Sequence, residues 1–173
     1  FEDARVLGVT ATPDRGDMKN LGNVFESLAY EYTLPRAIKE GYLSPIKAVT
    51  IPLKVDLTGV GIQSGDFKLG ELGTALDPYL HGIAEEMKKY CTDRKTVVFL
   101  PLVKTSQKFQ DILNENGFRA VEVNGNSQDR AEVLQDFESG KYNVLCNSML
   151  LTEGWDCPSV DCIAVLRPTK VRS

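Results

Sequence analysis

Between residues 96 and 166 the chain alternates short apolar runs with amphipathic stretches, in a rhythm that few folds accept. Thr96-Val97-Val98-Phe99-Leu100, residues 119–123, Tyr142-Asn143-Val144-Leu145-Cys146 and Asp161-Cys162-Ile163-Ala164-Val165-Leu166 read as strands. Residues 104–116 predict a helix packed through Phe109, Ile112 and Leu113 and ended by Gly117. Ser127 is placed to cap another, in which Ala131, Leu134 and Phe137 recur at helical spacing. Strands joined through helices pair in parallel, because a parallel neighbour needs a long crossover. The expected fold is therefore α/β, a three-layer domain around a mainly parallel sheet.

The first half is less regular. Residues 5–9 resemble the end of a core strand running into Thr10-Ala11-Thr12-Pro13, and Asp14-Arg15-Gly16-Asp17 continues that turn. Leu28-Ala29-Tyr30-Glu31-Tyr32 alternates as a strand does. Thr33 is placed to cap a short helix through Glu40, with Pro35 in its first turn and Gly41 as its stop. Residues 46–55 read as a β-rich segment, and residues 56–73 as a surface loop or variable insertion. Asp77-Pro78 opens a helix to about Tyr90 with Leu80, Ile83, Ala84 and Met87 on its apolar stripe. Met87 reads as core filler.

A length of 173 residues supports one full α/β domain, or one domain with pieces of another. No run approaches 18 consecutive apolar residues, so a spanning helix is not expected. The chain begins at Phe1 without a basic region and apolar core, which reads as a trimmed or proteolytic fragment and not a signal peptide. Cys91, Cys146, Cys157 and Cys162 form no CxxC pair and His81 is the single histidine, so no zinc spacing is present. Cys146 and Cys162 sit in apolar runs and read as buried thiols, in keeping with a reducing, cytoplasmic setting. Formal net charge is −4, which gives no global support for nucleic-acid binding. Local patches decide that question, and from Lys141 onward four basic residues face three acidic ones.

Chemistry concentrates in Ser148-Met149-Leu150-Leu151-Thr152-Glu153-Gly154-Trp155-Asp156, between two strand-like runs. A hydroxyl, a glycine and a carboxylate thus gather at the carboxyl end of a buried strand, where open α/β sheets bind ligands. The order of the polar motifs resembles superfamily 2 helicases and DNA translocases, notably prophage and restriction-type DEAD/DEAH relatives. Thr10-Ala11-Thr12-Pro13 resembles their motif III, Val97-Val98-Phe99 motif IV, and Leu151-Thr152-Glu153-Gly154-Trp155-Asp156 with Ser148 motif V. Tyr32-Thr33-Leu34-Pro35-Arg36-Ala37-Ile38-Lys39-Glu40-Gly41-Tyr42-Leu43 resembles the link into the second motor domain.

This resemblance implies a RecA-like domain truncated at both ends of the motor. Residues 1–24 would be the terminal piece of the first RecA-like domain, 25–76 a linker with entry elements and a variable loop, and 77–173 most of the second domain, whose core begins as early as residue 28. Thr10 and Thr12 would couple the ATP-site carboxylates to domain movement; the plainer role is satisfying turn backbone. Ser148 would contact a nucleic-acid phosphate, or else cap the segment after it. Gly154 permits close ligand approach, or only a turn. Asp156 would meet ATP ribose or organise the interdomain cleft; a local hydrogen bond closing its turn is the alternative.

Motif IV offers no hydroxyl in Phe99-Leu100-Pro101-Leu102, which moves backbone contact to Lys104, Thr105 and Ser106, where Thr105 or Ser106 can equally be a helix cap. Arg130 has a structural bridge as one reading and a nucleic-acid or interdomain contact as the other. Trp155 reads as packing under the loop, and Glu153 stands where many RNA-directed relatives carry arginine. By the same resemblance the parent uses ATP and Mg2+ and binds DNA, with RNA the alternative. The fragment alone is expected to bind no cofactor, to lack ATPase activity, and to self-associate through an exposed N-terminal strand. A catalytically silent scaffold is the competing function.

Overall fold

The structure, a computed structural model, describes residues 5–10, 25–148, 150–151 and 154–170. They divide into two compact units, one up to Thr50 and the other over residues 51–170.

In the first unit the regular element is helix α1, Leu34–Lys39. Pro35 lies in its first turn, and the chain leaves it through Gly41 at φ +81°. Thr33 occupies the N-cap with extended backbone but its hydroxyl makes no capping bond. The strands expected at residues 5–9, 28–32 and 46–55 are not formed. Val6, Leu7, Val9, Leu28 and Tyr30 are exposed. Alternation predicts a strand only where a neighbouring strand exists to take its N–H and C=O groups.

The second unit holds the sheet. Strands β3 (Thr96–Phe99), β4 (Ala120–Val123), β5 (Val144–Asn147) and β6 (Cys162–Val165) are all parallel, in the order β4-β5-β3-β6. Helix α3 (Leu80–Cys91) and helix α4 (Val103–Glu115) cover one face, burying Leu80, Ile83, Met87, Phe109 and Leu113 against Val98, Val144 and Cys146. Helix α5 (Arg130–Ser139) covers the other, packing Val133 and Phe137 on Val97, Val123 and Leu145. Successive strand residues thus alternate between the two cores, and the expected three layers are present.

Two helix ends of this unit are set by glycine. Gly117 (φ +87°) follows α4 and lets Phe118 N–H donate to Leu113 O at 3.0 Å, folding the buried Phe118 ring back onto the core. Gly140 (φ +90°) closes α5 likewise, with Lys141 N–H donating to Asp136 O.

Residues 56–73 are not a featureless loop. They form a hairpin of β1 (Ile62–Gln63) and β2 (Asp66–Phe67), joined at Ser64 and Gly65, both at positive φ. This is the backbone that a two-residue hairpin turn requires. Helix α2 (Leu69–Leu76) follows and buries Leu72 and Leu76, while Leu53 and Val55 pack on the core without strand pairing. The next helix begins through a 3-10 turn, Asp77–Tyr79, with Pro78 where no intrahelical donor is needed.

Candidate functional site

Parallel register brings every strand's carboxyl end to one edge. Phe99 is level with Asn147 and with Val165, and Asn147 is level with Val123. The segments that leave this edge begin, in spatial order, after β4, β5, β3 and β6. They carry Arg130, Ser148, Lys104 and Arg167.

The central exit is built around Asn147, which is fully buried. Its Nδ2 donates to Val98 O at 3.0 Å, and its Oδ1 accepts from Leu151 N–H at 3.4 Å. A buried amide must satisfy both ends, so it fixes strand β3 on one side and the loop on the other. Asn147 carries no motif signature; its position directly after an apolar run was the one available signal. Ser148 follows it, half-buried. Leu151 is buried, and half-buried Trp155 sits 6.2 Å ring to ring from Phe137, so this indole packs under the loop as expected. Between these anchors Gly154 is exposed at φ +74° and Asp156 is exposed. The following turn is closed by Val160 N–H donating to Cys157 O at 3.0 Å, without the Asp156 carboxylate. Thr152 and Glu153 lie outside the described residues.

At the exit of β3, Leu102 is the N-cap of α4 and no side chain caps it. Capping by Thr105 or Ser106 is therefore corrected: both are buried. Gly73 of α2 is so close that a methyl group on it would stand 2.9 Å from Thr105 Oγ1. The Thr105 hydroxyl is turned into a helix contact and is not available to a ligand, whereas Lys104 is exposed.

At the exit of β4, the capping role given to Ser127 is also corrected. Asp129 is the N-cap of α5. Ser127 Oγ instead accepts from Asn124 N–H at 3.1 Å, and Asn124 Oδ1 accepts from Asn126 N–H at 2.8 Å. This local turn sets the start of α5, where Arg130 is exposed. Ala131 is exposed too, and Val133 takes the buried position.

Burial raises three groups of the second unit. Glu122 of β4 is pushed above the usual carboxylate range, chiefly by desolvation, while the bonds from Asn124 Nδ2 act against the rise. Cys146 is pushed up by complete burial, and Cys91, desolvated beside Cys162, is pushed up to about 12. Neither thiol is a ready nucleophile. His81 is exposed on α3. Thr10 is exposed in the first unit, and Thr12 lies outside the described residues. Among the described residues no three His, Cys, Asp or Glu side chains converge as a metal ion requires, and no helix is long and apolar enough to cross a membrane.

The sequence is similar to those of known proteins. The chain is 28% identical to a 51.5 kDa protein of a Lactococcus phage over 98% of its own length and 38% of that protein. It is 24% identical to the ATP-dependent RNA helicase DBP3 of Candida glabrata, over 90% of its length and 28% of the relative. Among solved structures, the Pyrococcus furiosus Hef helicase domain matches at 27% identity with a TM-score of 0.43, over 54% of this chain and 19% of the other. The chain thus spans well under half of these relatives. The model of the helicase conserved C-terminal domain matches residues 81–172, which takes in the whole parallel sheet and its carboxyl edge, and the chain belongs to that family, with its RecA-like fold.

Proposed function

We propose that this chain is the nucleic-acid-gripping half of an ATP-driven motor that moves along DNA. The observation that carries this reading is the exit of β5, where Ser148 and the loop to Asp156 leave a buried central strand at the ligand-binding edge of a helicase-family domain. Ser148 donates to a backbone phosphate. Exposed Lys104 and Arg130, leaving the neighbouring strands, add charge without reading bases. For the Thr105 position, only the backbone amide in the first turn of α4 is offered to a phosphate. DNA is preferred to RNA as the track on the resemblance of the motif order to prophage and restriction-type relatives.

ATP fits the same edge in part. The positive φ of Gly154 leaves its surface bare, and Asp156 holds an exposed carboxylate beside it, suited to a ribose hydroxyl. Bound ATP supplies the free energy of movement. Mg2+ is assigned no ligand here. Thr10 and Thr12 couple the nucleotide site to this domain, residues 1–24 belong to a first RecA-like domain, and residues 77–173 form most of the second. Phosphoryl transfer depends almost wholly on positioned charge. The isolated chain is accordingly expected to lack ATPase activity and to bind nucleic acid weakly, with strong salt dependence.

The test is ATP hydrolysis by the full-length protein, with and without DNA or RNA. DNA should stimulate it. Ser148→Ala should weaken DNA binding by roughly fivefold, as loss of one phosphate hydrogen bond does, and Lys104→Ala should lower the salt slope by about one. A full-length protein whose hydrolysis ignores nucleic acid would overturn the reading.

A further inference from the structure

The hairpin of residues 62–67 carries a side chain whose partners lie over a hundred residues away. Asp66 Oδ1 accepts from Lys170 N–H at 2.9 Å and from Phe67 N–H at 2.8 Å. Its Oδ2 accepts from the Thr169 hydroxyl at 2.8 Å and faces the Arg167 guanidinium at 3.8 Å. The Lys170 ammonium stands 5.0 Å over the Phe67 ring. One carboxylate therefore engages three of the first five residues that follow the sheet's last strand. Those bonds hold the carboxyl below its ordinary value, with the Lys170 amide as the largest cause.

The hairpin is itself held. Lys68 N–H donates to Gly61 O at 2.9 Å, and Glu71 of α2 accepts from Gly61 N–H and from Lys68 Nζ. Helix α2 then buries Leu72 and Leu76. The anchored hairpin thus presents a fixed carboxylate at the edge where β6 ends, one backbone bond from β3 (Leu166 N–H to Phe99 O, 2.9 Å). Exposed surface ion pairs contribute little, but a carboxylate receiving two backbone N–H groups and a hydroxyl specifies a chain path.

We propose that Asp66 is a positioning residue: by fixing residues 167–170 as they leave β6 at the ligand-binding edge, it sets the geometry on which the motor's ATP hydrolysis depends. This rests on the motor reading above. The hairpin is then a strut joining the core helices to the strand exit, and Asp66 touches neither ATP nor nucleic acid.

The experiment compares wild-type full-length protein with Asp66→Ala, Asp66→Asn and Thr169→Val. It measures amide hydrogen exchange over residues 167–170 together with kcat and KM for ATP. Asp66→Ala should speed exchange there by about tenfold, the loss expected for charge-assisted bonds. It should lower kcat by a similar factor with KM within about twofold, as when an interaction serves the transition state alone. Asp66→Asn keeps an oxygen for the Lys170 amide and should restore most of both, and Thr169→Val should give a small change in the same direction. Melting temperature identifies any variant that fails to fold, in which case Asp66→Asn and Thr169→Val decide. Unchanged exchange in Asp66→Ala, or faster exchange with unchanged kcat, overturns the role. A wild-type protein without ATPase activity removes the motor reading and this role with it.

Discussion

The two units carry apolar residues of the same kinds and use them differently. Residues 96–100 and 28–32 both alternate or run apolar, yet the first forms a central strand and the second leaves Leu28 and Tyr30 exposed at 72% and 67%. Val97 and Val98 each meet a different core because strands β5 and β6 flank them and helices cover both faces. In the first unit Ala37 is the buried apolar residue among those described. A strand is stabilised by what it pairs with and buries against, so equal local propensity gives unequal structure. The same contrast separates aromatic clusters. Tyr30, Tyr32 and Tyr42 meet at 6.2 to 6.4 Å with Arg36 over Tyr32, all exposed, whereas Phe137 is sealed under Trp155.

The comparison breaks first on truncation of core side chains. Phe109→Ala removes a fully buried ring from the α3 and α4 face and should cost about 3–5 kcal/mol by denaturant unfolding. Tyr30→Ala should change stability by no more than about 0.5 kcal/mol, as an exposed substitution does. A Tyr30→Ala loss near that of Phe109→Ala would show that the first unit has a core of its own.

Backbone conformation sharpens it next. Gly140 and Gly41 both sit at strongly positive φ with nothing within 4 Å of an added methyl, so alanine meets only backbone strain at each. Gly140→Ala should cost about 1–2 kcal/mol, because it closes a helix that the sheet needs. Gly41→Ala should leave the melting of residues 51–170 unmoved, since α1 lies in the other unit. Equal shifts for both would join the units thermodynamically.

The smallest effect is a matter of pH. Glu122 has its folded carboxyl raised above the ordinary 4.5. A raised carboxyl binds its proton more readily when folded, so its favourable contribution is complete below the unfolded value and is lost as pH rises through the folded one. Glu122→Gln should therefore raise the melting temperature at pH 7, and the gain should vanish below pH 4.5. A gain that persists at acid pH would place its origin in packing instead.

Much of the second unit was legible because its periodicities are local. Phe109, Ile112 and Leu113 announce one face of a helix, and Gly117 and Gly140 mark ends by a backbone angle that only glycine takes freely. The shift of β5 to residues 144–147 from the expected 142–146 moved only a boundary, but it placed Asn147 inside the sheet and Ser148 at its rim. Thr105 misled because a hydroxyl near a helix start signals a cap, while here the close approach of Gly73 turns that position inward. Ser127 was drawn the same way into the Asn124 turn.

What the sequence by itself determined is the set of strands and helices over residues 80–166 and their parallel sense. Each follows from patterns a few residues long and from the reach of the chain between them. Tertiary structure alone decided which alternating runs became strands, which hydroxyls stayed exposed, and that the glycine-rich stretch at 56–73 is a hairpin holding residues 167–170. Those outcomes depend on partners distant in sequence, as with Asp66 and the Lys170 amide 104 positions on, and no local pattern records a bond whose other half lies that far along the chain.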